Sequence, residues 1–173
     1  MKEIPLNKLK LKTFTEQDAI DYCQLNNIDI KDIIELDLSF NNLTDISGIK
    51  LFKNLETLWL YDNKITDISV LKNLNKLKTL NISYNKLTDI LFLKDLTKLK
   101  SLWLHNNKIT DIFCLKNLKN LKDLNIKNLK LESNQIQYIK SLKKLKYLTC
   151  ENGFKDMSVI KQFNKYYERN TFK

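Results

Sequence analysis

The chain has 173 residues, 43% of them hydrophobic, with 30 Lys and Arg against 20 Asp and Glu and a formal net charge of +10. That length suits one domain and that apolar share can bury a core, so a disordered chain is excluded, as is a membrane span of roughly 20 uninterrupted apolar residues. Its two glycines, Gly48 and Gly153, lie too far apart for a glycine-rich phosphate loop, and its three cysteines, Cys23, Cys114 and Cys150, are scattered and odd in number, which argues against a disulfide framework.

Residues 1–32 are expected to form an amino-terminal cap. They open on MKEIPLNKLKLKTF, which is charged throughout and lacks the apolar run of a signal peptide, so a cytoplasmic location is expected. Thr15-Glu16-Gln17-Asp18 has the form of a capping box with Asp in place of Glu, and predicts a helix over about 15–25. Ala19, Ile20 and Cys23 make its apolar stripe.

From Ile33 to Asn120 four segments align without a gap at a period of 22: IIELDLSFNNLTDISGIKLFKN, LETLWLYDNKITDISVLKNLNK, LKTLNISYNKLTDILFLKDLTK and LKSLWLHNNKITDIFCLKNLKN. Each opens on alternating apolar residues, Leu36 and Leu38, Leu58 and Leu60, Leu80 and Ile82, Leu102 and Leu104, the period of a short strand with one buried face. Asn41, Asn63, Asn85 and Asn107 follow where the chain must turn, and an inward Asn offers both donors and an acceptor to the backbone of that turn. Asp45, Asp67, Asp89 and Asp111 then stand where a short helical return begins, and are expected to cap it.

After Asn120 the register is expected to slip. Leu129-Lys130-Leu131 is a second strand-like run, 27 residues after its counterpart, which places an insertion of about five residues near Asp123–Asn128, makes 121–152 a stretch of irregular repeats and leaves open which residues form the fifth strand. Residues 153–173 are expected to close the core as a helical cap, with Val159, Phe163 and Tyr166 inward and Lys161, Lys165 and Arg169 outward.

The shared pattern LxxLxLxxNxLTDIxxLxxLxx resembles the leucine-rich repeat, in a 22-residue form similar to the internalins and to the leucine-rich-repeat regulatory subunit of protein phosphatase 1. The resemblance implies an α/β fold: a right-handed solenoid with a concave parallel β-sheet, short convex helical turns and helical caps. It also implies a recognition or regulatory scaffold without catalytic residues.

Little in the sequence points to catalysis. His105 is the single histidine, and the cysteines have no metal-ligand spacing, so no metal and no cofactor is expected. Cys114 and His105 fall on opposite sides of the repeat, and the four aspartates hold identical places in every turn, as capping requires and catalysis does not. No enzyme is expected.

The positions between the inward leucines face the concave side. They give the columns Glu35, Thr57, Thr79, Ser101, then Asp37, Trp59, Asn81, Trp103, then Ser39, Tyr61, Ser83, His105, with Phe40, Asp62, Tyr84 and Asn106 just beyond. Both tryptophans fall on this face, two strands and roughly 10 Å apart, flanking Asn81. Exposed Trp and Tyr are the residues most enriched in binding hot spots. A protein-binding surface is therefore expected from Glu35, Asp37, Phe40, Trp59, Tyr61, Asn81, Tyr84, Trp103 and His105, extended by Tyr147, on a monomer that binds another protein. Glu35, Asp37 and Asp62 suit a partner bearing Lys or Arg.

The charge excess lies toward the end of the chain: residues 121–173 hold 11 Lys and one Arg against 5 acids. Lys127, Lys130, Lys140, Lys143, Lys144 and Lys146 form the denser basic group, and the alternative function is binding of nucleic acid or an anionic surface there. Arg169 is the only arginine, so the bidentate base and phosphate contacts that favour Arg are missing, which weighs against the nucleic-acid reading of the charge.

Overall fold

A computed structural model of the chain describes residues 2–6 and 9–161. Seven strands form one parallel sheet in chain order: β1 (Lys2–Pro5), β2 (Ile33–Asp37), β3 (Thr57–Trp59), β4 (Thr79–Asn81), β5 (Ser101–Trp103), β6 (Asp123–Asn125) and β7 (Tyr147–Thr149). Leu36, Leu58, Leu80, Leu102, Leu124 and Leu148 pair across adjacent strands, and each is 3% exposed or less. No repeat could bury these side chains by itself; stacking the turns does so.

The returns are short. Five-residue 3₁₀ turns run over Ser47–Leu51, Ser69–Asn73, Leu91–Asp95 and Phe113–Asn117, and their Ile49, Leu71, Leu93 and Leu115 are fully buried against the sheet. The aspartates act one residue earlier than a cap: Asp45, Asp67, Asp89 and Asp111 each accept through Oδ1 the backbone N–H two residues on, at 2.7–2.8 Å. Each thereby satisfies the first orphan donor of its return.

The asparagines tie one turn to the next. Asn63 accepts the Leu43 N–H at 3.0 Å, and its Nδ2 donates to the carbonyls of Leu38 at 2.9 Å and Leu60 at 3.2 Å. Asn85 repeats this with the Ile65 N–H and the carbonyls of Leu60 and Ile82, and Asn107 with the Leu87 N–H and those of Ile82 and Leu104. Asn41 serves the first turn, accepting the Leu11 N–H and donating to Leu6 and Leu38. Four side chains thus satisfy the backbone of a buried bend that no regular ladder reaches.

Helix α1 (Glu16–Leu25) starts at Thr15 with a complete capping box: Thr15 Oγ1 accepts the Asp18 N–H, and the Asp18 carboxylate accepts the Thr15 N–H. It packs on the Ser47–Leu51 turn. A side chain at Gly48 would put its Cβ 2.2 Å from the Thr15 carbonyl oxygen, so only glycine lets the helix start close here. Strand β1 is an addition to what the sequence predicts. It makes the amino-terminal segment a first, degenerate turn of the solenoid, whose helix takes the place of a 3₁₀ return.

The predicted slip near Asp123–Asn128 is corrected. Strand β6 keeps the 22-residue spacing from Ser101 to Asp123, and β7 departs from it, 24 residues on at Tyr147. Leu129 and Leu131 alternate like a strand, yet Leu129 sits in the slot that Asn107 fills one turn earlier. Both are buried, at 5% and 1% exposure, and Leu131 only bridges Phe154. The extra residues lengthen the return into a 3₁₀ turn (Ser133–Gln135) and helix α2 (Ile136–Lys140), with Ile136 and Ile139 buried. At the carboxy-terminal end α3 covers Ser158–Lys161, with Ile160 buried. Phe163, Lys165, Tyr166 and Arg169 of the expected cap lie outside the described residues.

Candidate functional site

The outward face of the sheet carries the columns that the alternation predicts, now across six strands. Glu35, Thr57, Thr79, Ser101, Asp123 and Tyr147 lie in register, as do Asp37, Trp59, Asn81, Trp103, Asn125 and Thr149. Asp123 and Asn125 were hidden by the misplaced register, and so was Lys127, which follows them as His105 follows Trp103. Unbroken 22-residue counting from Ser101 would have found all three.

In the second column large and small residues alternate, and the rings use the space. The indoles of Trp59 and Trp103 lean over Asn81 and stack, with centroids 5.7 Å apart and planes 23° from parallel. The separation of roughly 10 Å expected from backbone spacing is therefore corrected: the shorter Asn81 leaves room between them. Trp59 Nε1–H donates to Glu35 Oε1 at 2.9 Å, which fixes its ring and commits the Glu35 carboxylate. Asn81 Oδ1 accepts both the N–H and the hydroxyl of Ser83, and Asp37 Oδ1 accepts the Ser39 N–H at 2.9 Å. These two hold their own turns, and the indoles between which Asn81 lies are half-buried.

A second aromatic group runs beside the first. Phe40 meets Tyr61 at 4.9 Å, Tyr61 meets Tyr84 at 5.1 Å and Tyr84 meets His105 at 5.4 Å, each edge to face. The zigzag has a backbone cause. Phe40, Asp62, Tyr84 and Asn106 all take left-handed φ, between 53° and 56°, which swings their side chains beside the preceding column. Asp and Asn enter that region readily, whereas for a bulky residue it is an outlier. Phe40 and Tyr84 stay 46% and 45% exposed despite that backbone, so their rings cover neighbours without entering the core. Ser39 and Ser83 are buried at 5% and 0% exposure. Tyr147 belongs to neither group: it stands on β7 in the first column, beyond Asp123.

Burial sets the titration of this face. His105 is held below the usual histidine range by desolvation, with the Lys127 charge adding to it, so the ring is neutral near pH 7. Its Nδ1 is buried without a hydrogen-bond partner, as is Asn106 Nδ2 beside it. Tyr61 is raised by desolvation, then by Tyr84 and Asp62, and Asp123 is raised by desolvation.

The thiols do not join this face by their chemistry. Cys114 lies on the return Phe113–Asn117, across the core from His105, and burial pushes it up to about 12; Cys150 is pushed up to about 11. Cys23 is buried on α1. Among the described residues no group of three or more His, Cys, Asp or Glu could hold a metal ion, and no helix is long and apolar enough to cross a membrane.

The basic group of the last third does not form one patch. Lys127 is on the sheet face, 2.5 Å from Glu151, Lys130 sits in the following bend at φ 58°, and Lys140 ends α2. Lys143, Lys144 and Lys146 instead lie where the chain re-enters the sheet before β7.

Residues 31–73, 53–95 and 75–117 each match the family model for leucine-rich repeats in two copies. Among solved structures, an internalin (inlF) from Listeria monocytogenes is 33% identical with a TM-score of 0.72, over 80% of this chain and 41% of its own. Internalin C2 from the same species is 29% identical with a TM-score of 0.72, over 82% and 67% respectively. The functional domain of InlJ, also from that species and described as including a cysteine ladder, is 27% identical with a TM-score of 0.64, over 75% and 28%. This chain thus spans less than half the length of the first and last of these. No curated protein is significantly similar to it. The internalin likeness is supported by these structures; the likeness to the phosphatase subunit is not confirmed by them.

Proposed function

Because the chain belongs to the leucine-rich-repeat family, we propose that it is a non-catalytic module that binds another protein through the concave face of its sheet. The observation that carries this is the paired aromatic surface: the Trp59–Trp103 stack and the Phe40–Tyr61–Tyr84–His105 row, all on outward positions the core does not use. Rigid rings of this kind bury large area at small entropic cost, which is why they dominate interface energetics. The left-handed backbone of Phe40 and Tyr84 supports the same view, since it carries strain for exposed rings.

Asp37 and Asp62 flank the Phe40 end, so the partner presents Lys or Arg there. The chain acts as a monomer in this proposal. Its buried free thiols fit a reducing, cytoplasmic setting.

The test is affinity capture from native lysate with the wild type and with a Trp59→Ser/Trp103→Ser variant whose fold is checked by circular dichroism. A protein retained by the wild type and lost with the variant supports the concave face; equal retention by both overturns it.

A further inference from the structure

Four consecutive returns re-enter the sheet through stretches built alike: Asn75-Lys76-Leu77-Lys78, Thr97-Lys98-Leu99-Lys100, Lys119-Asn120-Leu121-Lys122 and Lys143-Lys144-Leu145-Lys146. Leu77, Leu99 and Leu121 are fully buried and Leu145 is 6% exposed, so each leucine plugs the core and its flanking residues are forced outward. Backbone hydrogen bonds then place the stretches in line. The Lys100 N–H donates to the Lys78 carbonyl, the Lys122 N–H to that of Lys100, and the Lys146 N–H to that of Lys122, each at 2.8 Å.

The result is an edge of like charge. Its four stretches hold nine lysines and no carboxylate. Lys78 is paired with Glu56 at 2.6 Å, a carboxylate that Lys76 and Lys100 also help to hold ionised, while Lys76 Nζ and Lys144 Nζ donate to the neutral Asn54 and Asn120. Lys98, Lys100, Lys119, Lys122, Lys143 and Lys146 are exposed. The nearest acids in sequence are Asp95, which ends its 3₁₀ return, and Asp123, which is half-buried in the first column of the sheet. The opposite edge is mixed, since Lys64, Lys86 and Lys108 share their turns with Asp67, Asp89 and Asp111. Like charges in register about 4.8 Å apart repel and destabilise a sheet, so the fold gains nothing from this alignment.

We propose that this lysine edge binds nucleic acid through its phosphate backbone, without sequence preference. A row one or two side chains wide suits a linear polyanion. The four stretches hold no arginine and no aromatic residue, so they lack the fork that favours bidentate base contacts and the rings on which bases stack, and their lysines act as point charges. Their leucines are all buried, so no apolar side chain is left to enter a bilayer. The edge is separate from the aromatic face and stands or falls independently of it.

The test is fluorescence anisotropy of a short labelled DNA duplex, titrated with the full chain at rising salt. With about four lysines reaching phosphates, affinity falls about 100-fold between about 50 and 200 mM salt. A Lys100→Glu/Lys122→Glu/Lys146→Glu variant should lose at least about tenfold. Lys64→Glu/Lys86→Glu/Lys108→Glu, the same charge change on the mixed edge, should lose less than about threefold. Far-ultraviolet circular dichroism checks that both variants fold. Equal losses in both variants would reduce the effect to net charge and overturn the assignment. No binding at the lowest salt, or binding to phosphatidylserine vesicles and not to the duplex, would overturn it as well.

Discussion

The indole rings of Trp59 and Trp103 stack at 5.7 Å although their strands, β3 and β5, are not neighbours. The contact exists because Asn81, between them on β4, is too short to fill the space above its own strand. Trp59 is further held by Glu35, so the pair has one anchored ring and one that leans on it. Two indoles stacked in this way couple their transitions. The expected outcome is an exciton couplet in the circular dichroism spectrum that disappears in Trp59→Phe and in Trp103→Phe alike. Either variant should lose about 1 kcal/mol of stability in urea unfolding. A couplet that survives either replacement would show that the rings do not stack.

Asn85 is buried at 8% exposure and serves four backbone groups of two successive turns. In Asn85→Ala the Ile65 N–H and the carbonyls of Leu60, Ile82 and Ser83 lose these bonds in a place water does not reach. The expected loss is about 3 kcal/mol, read as a lower urea midpoint at unchanged slope. Asn85→Leu should not restore it, because Leu129 is tolerated in this slot only where the following return is rebuilt around α2.

His105 is the sole histidine, so its titration is visible as a single ring resonance. Its folded pKa lies below the ordinary value of about 6.5, so between the two the unfolded chain binds more protons than the folded one. Stability from the neutral ring is then complete above about 6.5 and declines as pH falls through that value toward the folded pKa. His105→Gln should flatten the pH dependence in that window, as measured by urea unfolding at several pH values. A resonance titrating at or above the ordinary value would contradict the burial that causes the shift.

Much of the architecture is legible as local periodicity. The alternation at Leu58 and Leu60 and the Asn63 turn recur every 22 residues from Ile33 to Asn120, and equivalent positions take equivalent places in space. The sheet-face columns follow from the same alternation, and with them nearly all of the aromatic surface. The misreading of Leu129–Leu131 shows the limit, because alternation alone cannot tell a strand from a bend whose asparagine has become leucine. Counting repeats across Asp123 settles the register, since β6 is held by its neighbour β5 and not by its own three residues.

The sequence by itself determined the repeat, the buried leucines and the residues that face away from them, because each is a property of one turn. Only the tertiary structure decided that β1 adds a strand, that the two indoles meet over Asn81, that Phe40 and Tyr84 fold back beside Tyr61, and that Lys146, 24 residues after Lys122, continues its row. Each of these joins different turns, and how side chains of different sizes settle on stacked strands is fixed by the space their neighbours leave.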